Sequence, residues 1–178
     1  YSARSDTWEF VSPMNMQRIG LAVTTNNRLL FALGGYDGKK RLNDVESYNP
    51  DLNTWTKEVP MLTNRSGAAA CSIEHFIYVV GGYTSNENVA TQLDSVECFN
   101  ILSNQWTFIQ SLHCRRSAHS CVVLDRKILA TGGYDGNNFL SVVEIYDPDT
   151  NTWEFSTSLT SERSGHGSAL TVEPTLDS

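Results

Sequence analysis

Hydrophobic and polar positions in this chain alternate over short runs, and no stretch sustains helical spacing. Gly20 to Thr24, Leu29-Leu30-Phe31-Ala32-Leu33, Val45-Glu46-Ser47-Tyr48 and a segment centred on Trp55 each read as one strand. Asn49-Pro50-Asp51-Leu52-Asn53 and Asp147-Pro148-Asp149-Thr150-Asn151 are turn clusters between a third and a fourth strand. The whole order then recurs. Trp8, Trp55, Trp106 and Trp153 are spaced by 47, 51 and 47, and Arg18, Arg65, Arg116 and Arg163 follow them by ten. Gly34-Gly35, Gly81-Gly82 and Gly132-Gly133 each precede a tyrosine, Tyr36, Tyr83 or Tyr134. Glu46, Glu97 and Glu144 stand nine residues before the later tryptophans, each followed two positions on by an aromatic, Tyr48, Phe99 or Tyr146. Registers that hold in phase this way mark a structural repeat.

Four strands, a to d, in units of about 50 residues are the signature of an all-β, kelch-type β-propeller. The unit resembles the kelch repeat of the BTB–kelch adaptor proteins over nearly the whole chain. The residues that carry the resemblance are Arg18-Ile19-Gly20, Asn27-Arg28-Leu29-Leu30, Arg65-Ser66-Gly67, Arg115-Arg116-Ser117-Ala118 and Arg163-Ser164-Gly165. The propeller is partial: a leading d strand, full repeats over approximately 18–64, 65–115 and 116–162, and a trailing a strand. A ring needs about four to eight blades. The resemblance implies six, with the strand near Gly167 to Val172 joining the first blade. Self-association of two copies and pairing with further blades are both open as ways to close it.

The 178 residues carry 13 Lys and Arg against 20 Asp and Glu, a net charge of -7 that argues against a general nucleic-acid or anionic-membrane surface. The strongest apolar run, Phe76 to Val80, is far too short for a membrane span. Cys71, Cys98, Cys114 and Cys121 lack CxxC spacing and disulfide density, which points to a reduced, cytoplasmic setting, with the nucleus also open.

In a four-strand meander, the b–c and d–a loops emerge at one end of the blade. The b–c loops vary: Asp37 to Asn43, a longer Thr84 to Asp94, and Asp135 to Ser141, with four extra residues in the second. Variable loops on a rigid frame are where binding resides. Lys39-Lys40-Arg41 and His113-Cys114-Arg115-Arg116 gather at the same end, giving a net-acidic protein a basic, aromatic-bearing mouth suited to a carboxylate-rich peptide. The repeated arginines are expected to play a structural role, pairing with Glu46, Glu97, Glu144 or backbone carbonyls, leaving Arg41, which does not recur, as the candidate clamp. Lys39 and Lys40 read as a solvated face, the glycine pairs as backbone devices, and the tryptophans as packing between blades.

The family resemblance implies the same surface and extends it. In the member of the family that the chain most resembles, an acidic peptide is held by the residue after each glycine pair, the residue five further on, and the residue after each repeat arginine. Those positions are Tyr36, Arg41, Tyr83, Tyr134 and Phe139, with Ile19-Gly20, Ser66-Gly67, Ser117-Ala118 and Ser164-Gly165. The serines would donate hydrogen bonds and the aromatics form walls. The resemblance also implies a parent protein that serves a cullin-based ubiquitin ligase, engaging the cullin through a BTB domain that no residue here encodes.

No catalytic constellation and no cofactor motif emerges, so the chain reads as a non-enzyme. His119 and His166 share one offset, but two histidines make an incomplete metal site. Cys114, flanked by His113, Arg115 and Arg116, is a candidate reactive thiol because nearby positive charge favours a thiolate. Two rival functions are an actin-binding kelch protein, which would use a repeated surface, and a copper kelch oxidase, which would use His119 and His166.

Overall fold

The computed structural model describes residues 1–86 and 89–171, and these contain strands and turns but no helix. Three four-stranded antiparallel sheets follow one another along the chain. Blade 1 is β1 (Ala22–Asn26), β2 (Leu29–Leu33), β3 (Val45–Asn49) and β4 (Thr54–Lys57). In blade 2, β5 (Ala69–Ile73) and β6 (Phe76–Val80) are followed by a separate hairpin, β7 (Tyr83–Asn86) and β8 (Val89–Gln92). The chain then returns to the sheet as β9 (Val96–Asn100) and β10 (Gln105–Ile109). Blade 3 is β11 (Ser120–Leu124), β12 (Lys127–Thr131), β13 (Val143–Asp147) and β14 (Thr152–Ser156). The sheet order a-b-c-d is the meander that the repeat predicts.

Apolar side chains alternate to the two faces of each sheet, and the faces meet to form two cores between blades. Phe31, Leu33 and Val45 of blade 1 pack on Ile77, Val79, Phe99 and Trp106 of blade 2. Cys71, Tyr78, Val80 and Cys98 of blade 2 pack on Ile128, Ala130, Tyr146 and Trp153 of blade 3. The tryptophan of each blade is pinned by its indole N–H, which donates to the linker entering that blade: Trp55 to Ser12 O, Trp106 to Val59 O and Trp153 to Gln110 O, each at 2.9 Å.

The arginines of the three blades take both of the expected structural partners, a buried glutamate and backbone carbonyls. Arg18–Glu46, Arg65–Glu97 and Arg116–Glu144 meet at 2.6, 2.6 and 2.7 Å. The Arg65 guanidinium also donates to Gly81 O and Ser95 O, tying the d–a loop to the end of strand b and the start of strand c. Glu97 in turn accepts the amides of Leu62 and Thr63 in the linker between blades. Arg163 instead bonds Ser161 and lies exposed.

The two flanking strands differ from expectation. Around Trp8 only a Ser2–Thr7 bridge forms, and Trp8 is 83% exposed. Residues 157–171 contain no strand, and Val172 of the expected trailing strand lies outside the described residues. A d strand pairs with its own c strand and an a strand with its own b strand. No such partner stands beside either segment among the described residues.

The inner strands carry His119 in blade 3 at the register that holds Leu21 in blade 1 and Ala68 in blade 2. His119 is buried, and neither ring nitrogen has a hydrogen-bond partner among the described residues. Burial, with smaller contributions from Arg116 and His166, pulls its pKa down to about 3.

Two outcomes follow from this packing. Glu97→Gln leaves the Arg65 charge buried without a counter-ion and should cost about 3–5 kcal/mol in a denaturant titration; a loss below about 1 kcal/mol would contradict the role given to the pair. For His119, the folded chain refuses a proton that the unfolded chain accepts. Stability is therefore lost as pH falls from about 6.5 toward about 3, by up to about 1.4 kcal/mol per pH unit. His119→Leu should flatten that slope, read from unfolding midpoints near neutrality and at about pH 4.5. A variant as acid-sensitive as the parent would assign the slope to other groups.

Candidate functional site

At one end of the arc, each d–a loop bridges to the b–c loop of its own blade. Ile19 pairs with Tyr36, Ser66 with Tyr83 and Ser117 with Tyr134. A second stitch runs from blade to blade: Gly67 N donates to Gly20 O, Ala118 N to Gly67 O and Gly165 N to Ala118 O, each at 2.7 Å. This requires left-handed backbone at all four positions, with φ of 59° at Gly20, 60° at Gly67, 51° at Ala118 and 68° at Gly165. Glycine adopts that conformation without cost, which explains three of the four residues. Gly20, Gly67, Ala118 and Gly165 thus belong to the mouth as its backbone frame.

Blades 1 and 3 build the same b–c loop. Asp37 Oδ1 accepts from the amides of Lys39 and Lys40, and Asp135 Oδ1 from those of Asn137 and Asn138, all at 2.7 Å. Those bonds hold both carboxyls below the ordinary aspartate range. The hydroxyls of Tyr36 and Tyr134 donate to Gly38 O and Gly136 O. Arg41 and Phe139 then occupy one register, bridged to Tyr36 and Tyr134. Phe139 rests on Tyr134 with ring centroids 5.3 Å apart and is 59% exposed.

Arg41 turns the other way, toward blade 2. Its guanidinium carbon lies 4.2 Å from the Tyr83 ring centroid and 5.9 Å from that of Tyr36, a cation–π arrangement with two faces. Its Nη1 donates to Ser85 Oγ at 2.5 Å. No described carboxylate pairs with it. Lys39 and Lys40 are exposed beside it.

The segment expected as a long Thr84 to Asp94 loop is largely the β7–β8 hairpin, although residues 87 and 88 lie outside the described residues. It reaches the loops on both sides. Ser85 meets Arg41 of blade 1, and Gln92 Oε1 lies so close to Gly136 of blade 3 that a Cβ there would stand 2.6 Å away. Ser85 and Gln92 are the mouth residues that sequence reasoning missed. A signal was present: Tyr83-Thr84-Ser85 and Val89-Ala90-Thr91 are strand formers flanking Asn86-Glu87-Asn88, a turn-prone triplet.

The other expected residues are placed less evenly. Ile19 stands out, 70% exposed. Ser66 and Ser117 are buried beneath the rim, contrary to the role of presented donors, because each sits in the bridge to its tyrosine; Ser164 is half-buried. The surroundings of Cys114 reverse the charge argument. Partial burial and the Glu144 carboxylate push its thiol up, outweighing Arg116. Glu144 accepts the Cys114 amide at 3.1 Å and pairs with His113 Nδ1 at 2.9 Å, so His113 serves the ion-pair network. A cleft of about 320 Å³ lined by His113, Cys114, Arg115, Asp135 and Asn137 opens beside it. A larger one, about 400 Å³, covers the Arg18–Glu46 pair at the side of blade 1 and holds none of the rim tyrosines.

His166 Nε2 lies 3.0 Å from Thr131 Oγ1. Among the described residues no cluster of three metal-ligating side chains forms around it or His119. Burial pushes Cys71 well above its ordinary value, Cys98 to about 11 and Cys121 to about 12, which makes them packing groups.

The KLHDC2/KLHL20/DRC7 Kelch-repeats domain family matches residues 20–176. Kelch-like protein 26 of Danio rerio is 29% identical over 156 residues, covering 86% of this chain and 18% of that protein. Kelch-like protein 23 of Pongo abelii is 31% identical over 144 residues, covering 78% and 24%. The chain therefore spans about a fifth to a quarter of the length of these curated relatives. The solved structure of YjhT superposes with a TM-score of 0.75 at 15% identity, over 84% of this chain and 54% of that one, which is a likeness of fold. The five segments that carry the family resemblance, from Arg18-Ile19-Gly20 to Arg163-Ser164-Gly165, look most like the C-terminal half of the Kelch-like ECH-associated protein; the comparisons support the family and not that particular member. With three four-stranded blades, buried Arg–Glu pairs in register and a family match over most of its length, the chain belongs to the KLHDC2/KLHL20/DRC7 Kelch-repeats domain family.

Proposed function

We propose that this chain is a non-catalytic peptide-recognition module that captures a short acidic segment at its mouth. We further propose that its parent protein presents the captured substrate to a cullin-based ubiquitin ligase through a BTB domain. One observation carries the reading. Arg41 is stacked on Tyr83 beside Tyr36, without a described carboxylate partner and with Lys39 and Lys40 next to it. A planar cation held between aromatic faces suits a carboxylate, because Arg offers parallel donors while the rings exclude water from one side. The ligase role rests on similarity to Kelch-like proteins and to a Kelch repeat and BTB domain-containing protein of Caenorhabditis elegans, which is 33% identical over 79 residues.

Calorimetric titration with an acidic turn-forming peptide tests the mouth. Binding should weaken as salt rises, because a half-exposed ionic contact is screened. Arg41→Ala should cost about 2 kcal/mol, roughly thirtyfold in affinity, if the clamp is a hot spot. Binding that neither salt nor the substitution affects would move the site elsewhere on the arc.

A further inference from the structure

The proposed clamp is already engaged by the protein itself. Arg41 Nε is buried with no hydrogen-bond partner among the described residues, so a side-on approach to the guanidinium is closed. The Nη1/Nη2 end remains, and the Ser85 hydroxyl sits on it, 2.5 Å from Nη1. The hydroxyl comes from the neighbouring blade, 44 residues away, on the β7–β8 hairpin that replaces the short loop seen in blades 1 and 3. Tyr83, at the base of the same hairpin, supplies the ring under the guanidinium. One element therefore both positions Arg41 and covers its reachable edge.

We propose that Ser85 is a specificity-determining residue of the mouth: it occupies the guanidinium edge that a ligand oxygen must take, so a ligand engages Arg41 by displacing it. The proposal rests on the acidic-peptide reading. An exchange of the Ser85 hydroxyl for another neutral oxygen gains little, since one ordinary hydrogen bond replaces another. A carboxylate gains, because it replaces the contact between the guanidinium and a neutral hydroxyl by a hydrogen-bonded ion pair that can take two parallel bonds. The tethered hydroxyl thus makes Arg41 selective for anionic oxygen and subtracts its own contact from the ligand's affinity. A carboxylate placed on the hairpin at the same position would instead hold the guanidinium permanently.

Two substitutions at this residue should therefore act in opposite directions. Ser85→Ala should tighten the acidic peptide about threefold, since one ordinary hydrogen bond no longer competes. Ser85→Glu should weaken it by about tenfold or more, because a charged internal rival is stronger. Ser85→Thr keeps the hydroxyl and should match the parent. A second measurement needs no peptide: the rate at which phenylglyoxal modifies Arg41, followed by mass spectrometry. Ser85→Ala should raise that rate and Ser85→Glu should lower it. Weaker binding in Ser85→Ala, or an unchanged Arg41 rate in both variants, overturns the proposal. Shifted rates with no peptide binding in any variant would sink the acidic-peptide reading while leaving Ser85's hold on Arg41 established.

Discussion

A buried arginine–glutamate pair, repeated once per blade, is the constraint on which the rest of the arc depends. Arg65 and Glu97 have no exposed side-chain surface, and neither have Arg116 and Glu144. Charges taken out of water are tolerated only when their hydrogen-bonding capacity is filled. Arginine meets most of that demand through its Nη atoms, which reach the carbonyls at the end of strand b and the start of strand c, as Arg116 does with Gly132 and Val142, while the Nε atoms of Arg18 and Arg65 have no partner among the described residues. Glutamate meets it by collecting linker amides, as Glu46 does with Asn15 and Glu144 with His113 and Cys114. Those bonds fold the d–a linker back over strand c and bring its loop beside the b–c loop. The mouth is a geometric consequence of satisfying a buried charge.

The glycine pairs complete the same logic. Gly35, Gly82 and Gly133 donate their amides to the backbone oxygens of Arg65, Arg116 and Arg163 in the following repeat. At Gly81 a Cβ would stand 2.5 Å from Arg116 O, so no larger residue fits between adjacent blades there. Each blade thereby positions the arginine of the next, and the inter-blade spacing is held by main chain. On this rigid frame the rim is free to differ: an arginine, a hairpin and a phenylalanine stand at the three b–c loops.

Much of this was legible in the amino-acid order. The strands follow from short alternating runs, and the structural role of Arg18, Arg65 and Arg116, with Glu46, Glu97, Glu144 or backbone carbonyls as partners, follows from spacing that recurs in phase. Cys114 was misread for a physical reason. Its sequence neighbours are cations, but partial burial and the carboxylate of Glu144, thirty residues away and fully buried, push its thiol up. The strands expected near Trp8 and Gly167 were assigned by analogy with the other repeats, and a strand needs a partner as well as a pattern.

By itself, then, the sequence determined the repeat, the sheet class, the blade order and the structural role of the repeated arginines, because each is encoded in local periodicity reinforced by repetition. Only the tertiary structure decided what the single-copy residues do. That Arg41 lies on Tyr83 and bonds Ser85, that Ser66 and Ser117 sink beneath the rim, and that Gln92 presses on Gly136 depend on how neighbouring blades are set against each other. A residue that occurs once has no register to announce its partner. Its neighbours are chosen by packing between segments that are distant in the chain.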